Sequence, residues 1–222
     1  MKGSGLTMKR ENPFCNALCD FRGKDLDDLL EQFSVPLRNH SRRVAVCSSL
    51  MAECAGEFLG AHDAAAGAAL ALAAHLGGTC HDIGKLLIPV LSTDESEYLR
   101  HPEAGACLLE KHTQTLFDSK EQAEAVLQTV RYHHERPDGN GFPYGLRAKE
   151  IPLAAGICAV ADGLDYCLYL ERESGCCPDG VLRDFKEQAG SLFCESAIVC
   201  LERAWPRISL QYAKWSGRTS SA

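Results

Sequence analysis

The chain has 222 residues, of which 45% are hydrophobic and 24% charged, and its formal net charge is −7. This composition is typical of one globular domain. The negative charge argues against binding of polymeric nucleic acid through a basic surface, although an anionic small molecule could still bind beside metal cations. No apolar run is long enough to span a membrane, and the N-terminal MKGSGLTMKRENPF lacks the apolar centre of a signal peptide. We therefore predict a cytoplasmic protein.

Twelve cysteines raise the question of a disulfide framework. Five of them fall within apolar helical patterns, where a free thiol behaves as a small hydrophobic side chain: Cys47, Cys54, Cys158, Cys167 and Cys200. Neither the CxxxC at residues 15–19 nor the vicinal pair at 176–177 has a second pair at zinc-finger spacing. We expect reduced thiols and no structural zinc.

Helical patterns follow one another along most of the chain after an irregular segment at residues 1–25. Apolar residues recur at helical spacing over 26–33, 37–58 and the alanine-rich 64–74, and a loop is predicted at 83–90. Pro102 fits the first turn of a helix that reaches Leu109, and further helices are predicted at 120–134, 151–170, 181–188 and 194–205. No segment alternates with period two. The sequence thus predicts one all-α domain over 26–210 and a disordered tail at 211–222.

Histidine and aspartate side chains collect at the predicted helix ends. His81 and Asp82 are adjacent where a helix stops, so both side chains can reach one point, and this combination suits a divalent transition metal. Lys85, three residues later, could hold a phosphate as a point charge. The other polar candidates at helix ends or on one helix face are His40, His101, His133, His134, Asp162 and Asp165, with His101 expected to be exposed.

The segment HHERPDGNGFPYGL, residues 133–146, joins two of these histidines to a loop rich in glycine and proline. Asp-Gly and Asn-Gly pairs are turn signals, since glycine supplies positive φ. We expect this loop to be shaped by Asp138, Gly139, Gly141, Pro143 and Gly145. Glu135 is expected to brace backbone amides rather than to bind metal.

The order H…HD…H…HH…D resembles that of the HD phosphohydrolase superfamily. The loop is similar to the HHExxDGxGYPxGL signature of its HD-GYP subfamily, with Phe142 in place of the usual tyrosine. HDIGKLLIP and EIPLAAGICAVADGLD resemble two further segments of the subfamily. The resemblance covers residues 33–205 and implies an all-α helical bundle with a dinuclear metal centre.

The ligands that this resemblance implies are His40, His81, Asp82, His101, His133, His134 and Asp162. Asp82 would bridge two ions, iron or manganese, and Pro36 replaces the glutamate of members that hold a third. The implied activity is a phosphodiesterase that hydrolyses a cyclic dinucleotide, cyclic di-GMP first, by attack of a metal-bound hydroxide. Asp82 and Lys85 would be the catalytic residues, with Lys85 on the phosphate.

The substrate pocket departs from the subfamily pattern. The subfamily helix continues into RPYR, whereas this chain reads VADGLDYCLYLERES, which leaves Arg172 and Asp165 as candidates for substrate contact. Asp165 is alternatively a partner of a ligand histidine. Two other functions stay open: an HD phosphohydrolase of another cyclic dinucleotide or a linear phosphoester, and a metal-binding module that senses a nucleotide or binds a protein. Since the chain leaves no room for a sensor domain, we expect regulation through a protein partner or through the redox state of the metal, and a homodimer stays open.

Overall fold

The computed structural model describes residues 26–56, 64–88, 95–170 and 178–217. Its α-helices are α1 (Leu26–Glu31), α2 (Val35–Gly56), α3 (Ala64–Cys80), α4 (Glu95–Tyr98), α5 (His101–Glu110), α6 (Thr113–Leu116), α7 (Lys120–Tyr132), α8 (Leu153–Asp165), α9 (Pro178–Glu187) and α10 (Glu195–Trp215). Short 3₁₀ turns cover Ile83–Leu87 and Ala148–Glu150, and a π-helical turn covers Tyr166–Leu170. The described residues form no strand beyond one isolated bridge between Ala189 and Phe193. The predicted all-α class is confirmed.

The larger of two hydrophobic cores lies between α2, α3, α8, α9 and α10. Met51, Ile157, Leu164 and Leu201 are completely buried there. Each such side chain contributes about 1.5–3 kcal/mol through removal of its apolar surface from water. The alanine-rich α3 has little bulk of its own, so it packs closely on α2: a Cβ at Gly78 would lie 2.9 Å from the Cα of Ala45.

The second core joins α1, the end of α3, α5 and α7. Leu29, Ile83, Leu108 and Val130 are completely buried in it. Helix α3 contributes to both cores, with Ala71 and Ala74 in the first and Cys80 in the second. The residues that follow α3, His81 and Asp82, are buried as well.

Three predicted boundaries differ from the structure. Residues 83–87 form a 3₁₀ turn rather than a loop, because Ile83 is fully buried and holds this segment in the second core. The helix predicted to reach 134 ends at Tyr132, and the long helix predicted at 151–170 ends as an α-helix at Asp165.

The prediction of a disordered tail from residue 211 is wrong up to residue 217. Helix α10 continues to Trp215, since the ring of Tyr212 is only 5% exposed and packs edge-on against Trp215 at 5.0 Å between ring centroids. Residues 218–222, the segment 1–25 and the cysteine pairs at 15–19 and 176–177 lie outside the described residues.

The described cysteines form no disulfide bond with one another. Cys47, Cys158 and Cys200 are buried, while Cys54 and Cys167 are only partly so. Among the described ranges, no helix combines the length and the apolar character needed to cross a bilayer.

Candidate metal centre

The ends of five helices bring the seven predicted ligands together. α2 contributes His40 from its first half, and the turn after α3 contributes His81 and Asp82. α5 begins with His101, α7 is followed directly by His133 and His134, and α8 carries Asp162 near its end. The predicted set is therefore one spatial cluster, although its members span more than half of the sequence.

One group of ligand atoms surrounds the Nε2 atoms of His40 and His81, which lie 3.3 Å apart. The Oδ1 atom of Asp162 is 3.1 Å from His40 Nε2 and 3.8 Å from His81 Nε2. The Oδ2 atom of Asp82 is 3.4 Å from His81 Nε2 and 3.8 Å from His40 Nε2. We call these four residues the His40 group.

A second group contains His101, His133 and His134. The Nε2 atoms of His101 and His133 are 3.3 Å apart, and His101 Nε2 is 3.3 Å from the Oδ1 atom of Asp82. We call these three histidines the His101 group. Because one carboxylate oxygen of Asp82 faces each group, Asp82 stands where a bridging ligand would be.

Three of the histidines are oriented by backbone carbonyls one turn earlier in the chain. Nδ1 of His81 donates to the Gly78 carbonyl at 2.8 Å, Nδ1 of His101 to Tyr98 at 2.7 Å, and Nδ1 of His133 to Val130 at 2.8 Å. A carbonyl can only accept, so each ring carries its proton on Nδ1. The Nε2 lone pairs are thereby left free and point into the cluster.

Two observations show that a cation fits among these atoms. The Nε2 lone pairs of His101 and His133 face each other at 3.3 Å, which is unfavourable without a positive charge between them and suits two nitrogens about 2.0–2.1 Å from one ion. The Nε2 atom of His134 is buried without a hydrogen-bond partner. Buried polar atoms are normally paired, so an unpaired one beside two such histidines fits a metal ligand.

Sequence comparison agrees with this geometry. The family model of the HD domain matches residues 37–167, more than half of the chain. The chain belongs to the HD domain family. The resemblance to HD phosphohydrolases and the expectation of divalent metal binding are confirmed at that level.

Curated relatives match this chain over fewer residues than the family model does. A cyclic di-GMP phosphodiesterase of Pseudomonas aeruginosa is 38% identical over 96 residues, which are 41% of this chain and 23% of the relative. A cyclic di-GMP phosphodiesterase response regulator of Xanthomonas campestris is 41% identical over 97 residues, 40% of this chain and 24% of the relative. A 3'3'-cGAMP-specific phosphodiesterase of Vibrio cholerae is 38% identical over 99 residues, 40% of this chain and 21% of the relative. The match spans less than a quarter of each relative's length.

Burial and charge tune the ligands of this HD domain in opposite directions. Burial lowers the pKa of His101 and that of His133 to about 3, so both rings stay neutral at physiological pH. Burial also acts to lower the pKa of His40, but hydrogen bonds with Asp162 and Asp165 outweigh it and raise this pKa to about 9. Burial acts to raise the pKa of Asp82, yet the neighbouring His81 and Lys85 hold it well below its ordinary value. Neutral imidazoles and ionised carboxylates are the forms that bind metals.

The expectation that His101 is exposed is wrong. Its side chain is 0% exposed, because the 3₁₀ turn after Asp82 lies directly on the first turn of α5. A Cβ at Gly84 would overlap the carbonyl oxygen of His101. The absence of a side chain at Gly84 thus serves the close approach of two ligand-bearing segments to each other.

Glu135 braces the loop, as predicted. It is 3% exposed, and its two carboxylate oxygens accept from the backbone N–H groups of Tyr144 at 2.7 Å and Leu146 at 2.8 Å. Gly139 has a φ of 78°, and a Cβ at Gly141 would overlap the backbone of Arg136. This folding of the loop stacks Phe142 on the His134 ring, with 4.6 Å between ring centroids and 27° between ring planes.

The other residues predicted to shape the loop, Asp138, Pro143 and Gly145, also form its turns. Asp138 accepts from the Asn140 backbone at 2.9 Å and from Arg136 at 2.6 Å, so it closes the first turn. Pro143 follows a cis peptide bond, and Gly145 has a φ of 68°. These residues form the loop itself and leave the ligand positions to His133 and His134.

Asp165 does not fit the predicted substrate contact. It is 0% exposed, and its Oδ2 atom accepts from His40 Nδ1 at 2.7 Å. Arg43 donates to both of its oxygens, at 2.6 and 2.8 Å. The alternative, that Asp165 is the partner of a ligand histidine, fits the structure. Arg172, the other candidate for substrate contact, lies outside the described residues.

Sequence reasoning missed two residues at the centre of this HD domain. Arg43 follows His40 by three positions on one face of α2, a spacing that could have indicated a shared partner. Tyr98 lies beside Lys85, with the Lys85 ammonium 5.2 Å from its ring centroid. The only sign of Tyr98 in the sequence was its position, an aromatic residue three positions before His101.

A cavity of about 760 Å³ opens beside the His40 group. It is lined by the charged or metal-ligating residues His40, Asp82, Lys85, Asp162 and Asp184 and by the aromatic residues Tyr98, Tyr166, Phe185 and Phe193. This volume is in the range of ordinary small-molecule sites. A lining that combines charged groups with aromatic rings suits a ligand with both phosphates and bases.

Proposed function

We propose that this HD domain is a metal-dependent phosphodiesterase that hydrolyses a cyclic dinucleotide, with cyclic di-GMP as the first candidate. The observation that carries the proposal is the position of Asp82, whose two oxygens face the His40 group and the His101 group at 3.3–3.8 Å. The relatives named as cyclic dinucleotide phosphodiesterases support it. A cytoplasmic location and a regulatory partner or homodimer stay predictions.

Two divalent ions are proposed, one in each group, and iron or manganese suits their mixed histidine and carboxylate ligands. No carboxylate stands at position 36, where Pro36 lines the cavity instead, which supports two ions rather than three. When bound, such a pair would polarise the phosphoryl oxygens and lower the pKa of a water nucleophile.

Lys85 is proposed as the residue of the chain that meets the substrate phosphate. Its ammonium lies 2.6 Å from Asp82 Oδ2 and lines the cavity, and the carboxylate beside it raises its pKa against the opposing effect of burial. The lysine therefore stays charged. A flexible ammonium can turn from Asp82 to a phosphate oxygen when bound ions neutralise that carboxylate.

Asp82 and Asp162 also make substrate binding depend on the ions. Both carboxylates line the cavity and hold pKa values below their ordinary range, although burial opposes this, so both are ionised. The charged Lys85 and the protonated His40 offset them in the metal-free protein, and bound ions would add the net positive charge that favours an anionic phosphodiester. The aromatic rings of Tyr98, Tyr166 and Phe185 offer stacking surfaces for the bases.

A second cyclic dinucleotide is the alternative substrate. Relatives named for cyclic di-GMP and for 3'3'-cGAMP match this chain with the same identity, 38%. The match therefore favours the class of substrate without selecting between them. Arg172, which stands near the missing RPYR segment, remains the candidate for that selection.

The test is a hydrolysis assay on anaerobically purified protein whose iron and manganese are quantified. Substrates are cyclic di-GMP, 3'3'-cGAMP and a linear dinucleotide. Release of linear product from cyclic di-GMP supports the first candidate, and cleavage of 3'3'-cGAMP alone supports the alternative. Cleavage of the linear dinucleotide alone would assign a linear phosphoester, and two bound metals without turnover would assign a metal-binding sensor or interaction module.

Asp82→Ala tests the bridging position. We expect this variant to lose metal and activity together, whereas retention of both would overturn the assignment. Asp118→Ala is the matched control, because Asp118 is exposed and lies at the opposite end of α7 from His133.

A further inference from the structure

His40 differs from the other histidines of the centre in what holds its ring. His81, His101 and His133 each donate from Nδ1 to a carbonyl one turn earlier in the chain. His40 instead donates from Nδ1 to the carboxylate of Asp165, 125 residues away and 2.7 Å distant. The ring orientation of His40 therefore depends on tertiary structure, while that of the other three depends on local backbone.

Asp165 is itself held by residues from two other helices. Arg43 of α2 donates from Nε to Oδ1 at 2.6 Å and from Nη2 to Oδ2 at 2.8 Å. The hydroxyl of Tyr212, on α10, donates to Oδ1 at 3.2 Å. Arg43 is fixed in turn by the ring of Tyr169, whose centroid lies 3.6 Å from the guanidinium carbon. With these donors, the fully buried carboxylate has a hydrogen-bonding partner on both oxygens.

Tyr212 lies outside the part of the chain that matches the HD domain, residues 37–167. Its ring is 5% exposed and packs against Trp215, so the hydroxyl is delivered to Asp165 by a rigid side chain. Tyr212 therefore adds, from outside the matched segment, a second donor to the Asp165 oxygen that Arg43 already contacts.

We propose that Tyr212 is a positioning residue for the metal centre. It fixes the Asp165 carboxylate, and through it the His40 ring, so α10 completes one of the two metal positions. We expect the effect to be confined to the His40 group, because His101 and His133 are oriented by the nearby carbonyls of Tyr98 and Val130. This inference rests on the metal centre of the proposed function and is independent of its substrate.

The test is a stepwise Mn²⁺ titration of metal-free protein, followed by calorimetry and electron paramagnetic resonance. His40→Ala identifies the binding step that belongs to the His40 group. Asp165→Asn is expected to weaken that step by about 10- to 100-fold, as is typical when the partner of a ligand histidine is lost. Tyr212→Phe, which keeps the ring, should weaken the same step by about 10-fold, the lower end of that range.

Ser209→Ala is the matched control, since it removes a hydroxyl on the same helix, one that donates to the Pro206 carbonyl at 3.3 Å. It should bind Mn²⁺ as the unaltered protein does. Thermal unfolding of the metal-free variants separates a loss of fold from a loss of positioning. Equal weakening of both steps in Tyr212→Phe, or no weakening, would overturn the inference. If the unaltered protein takes up no Mn²⁺, both the inference and the metal centre fail, whereas metal uptake without hydrolysis overturns only the proposed activity.

Discussion

The backbone of Gly84 lies against the carbonyl oxygen of His101 so closely that a Cβ at position 84 would overlap it. Gly84 follows the His81–Asp82 pair by two residues, and His101 is the first residue of α5. The contact therefore holds the turn after Asp82 against α5, the helix that carries His101. A change at this glycine would separate the two halves of the metal centre.

Gly84→Ala should accordingly lose metal. The added methyl group meets backbone atoms, which cannot rotate away, and overpacking of this kind costs about 1–3 kcal/mol. We expect a lower unfolding midpoint and fewer than two bound ions per chain, measured by thermal denaturation and elemental analysis. Full metal content in a folded Gly84→Ala protein would show that the contact is dispensable.

Lys85→Gln should separate catalysis from metal binding. The Lys85 ammonium is bonded to Asp82 Oδ2, which faces the His40 group, so it competes with an ion for that oxygen. Its removal should leave Mn²⁺ affinity unchanged or higher. Loss of a charged donor at the phosphate should lower kcat/KM by about 100-fold. A variant that retains full activity would remove Lys85 from the proposed mechanism.

Glu135→Gln should loosen the loop that follows His133 and His134. In this variant an amide group, itself a donor, replaces one of the two oxygens that accept from Tyr144 and Leu146. A buried donor left unsatisfied costs about 1–3 kcal/mol, which urea denaturation would measure. Glu150→Gln is a suitable comparison, because Glu150 also accepts a backbone N–H, from Arg147 at 2.8 Å, but at an exposed position. We expect a clearly smaller effect there.

Metal uptake should release a proton from His40. In the metal-free protein the pKa of His40 is about 9, because Asp162 and Asp165 outweigh the effect of burial, so this ring is protonated at pH 7.5. An ion must displace that proton, and metal affinity should rise with pH until about pH 9. His101 and His133, with pKa values of about 3, are already neutral and release none. Calorimetry in buffers of different ionisation enthalpy should detect the release in the unaltered protein and not in His40→Ala.

Much of the metal centre could be predicted from the sequence because its ligands lie at the ends of helices. Periodicity locates those ends to within a few residues, as at Pro102 and at Tyr132, and the HHERPDGNGFPYGL segment is specific enough to place His133 and His134. The turn signals at Asp138 and Gly139 likewise concern neighbours in the chain. Local interactions of this kind can be predicted from the sequence, since the interacting residues are only a few positions apart.

The errors have a common cause in long-range packing. His101 was expected to be exposed at a helix start, yet its ring is buried against those of Tyr98, His133 and His134. The last helix was predicted to end at residue 205, yet it extends to Trp215 and buries Tyr212 in the core. Asp165 was expected either to contact substrate or to partner a ligand histidine, and its buried hydrogen bond with His40 supports the second.

The identity of the proposed ligands and the order in which they occur are thus properties of the chain alone, because helix ends and glycine turns are encoded by neighbouring residues. The division of those ligands into two groups around Asp82, the burial that keeps His101 and His133 neutral, and the support of His40 from α10 arise only when the helices pack. These properties depend on distances between residues up to 125 positions apart, and no local pattern carries that information.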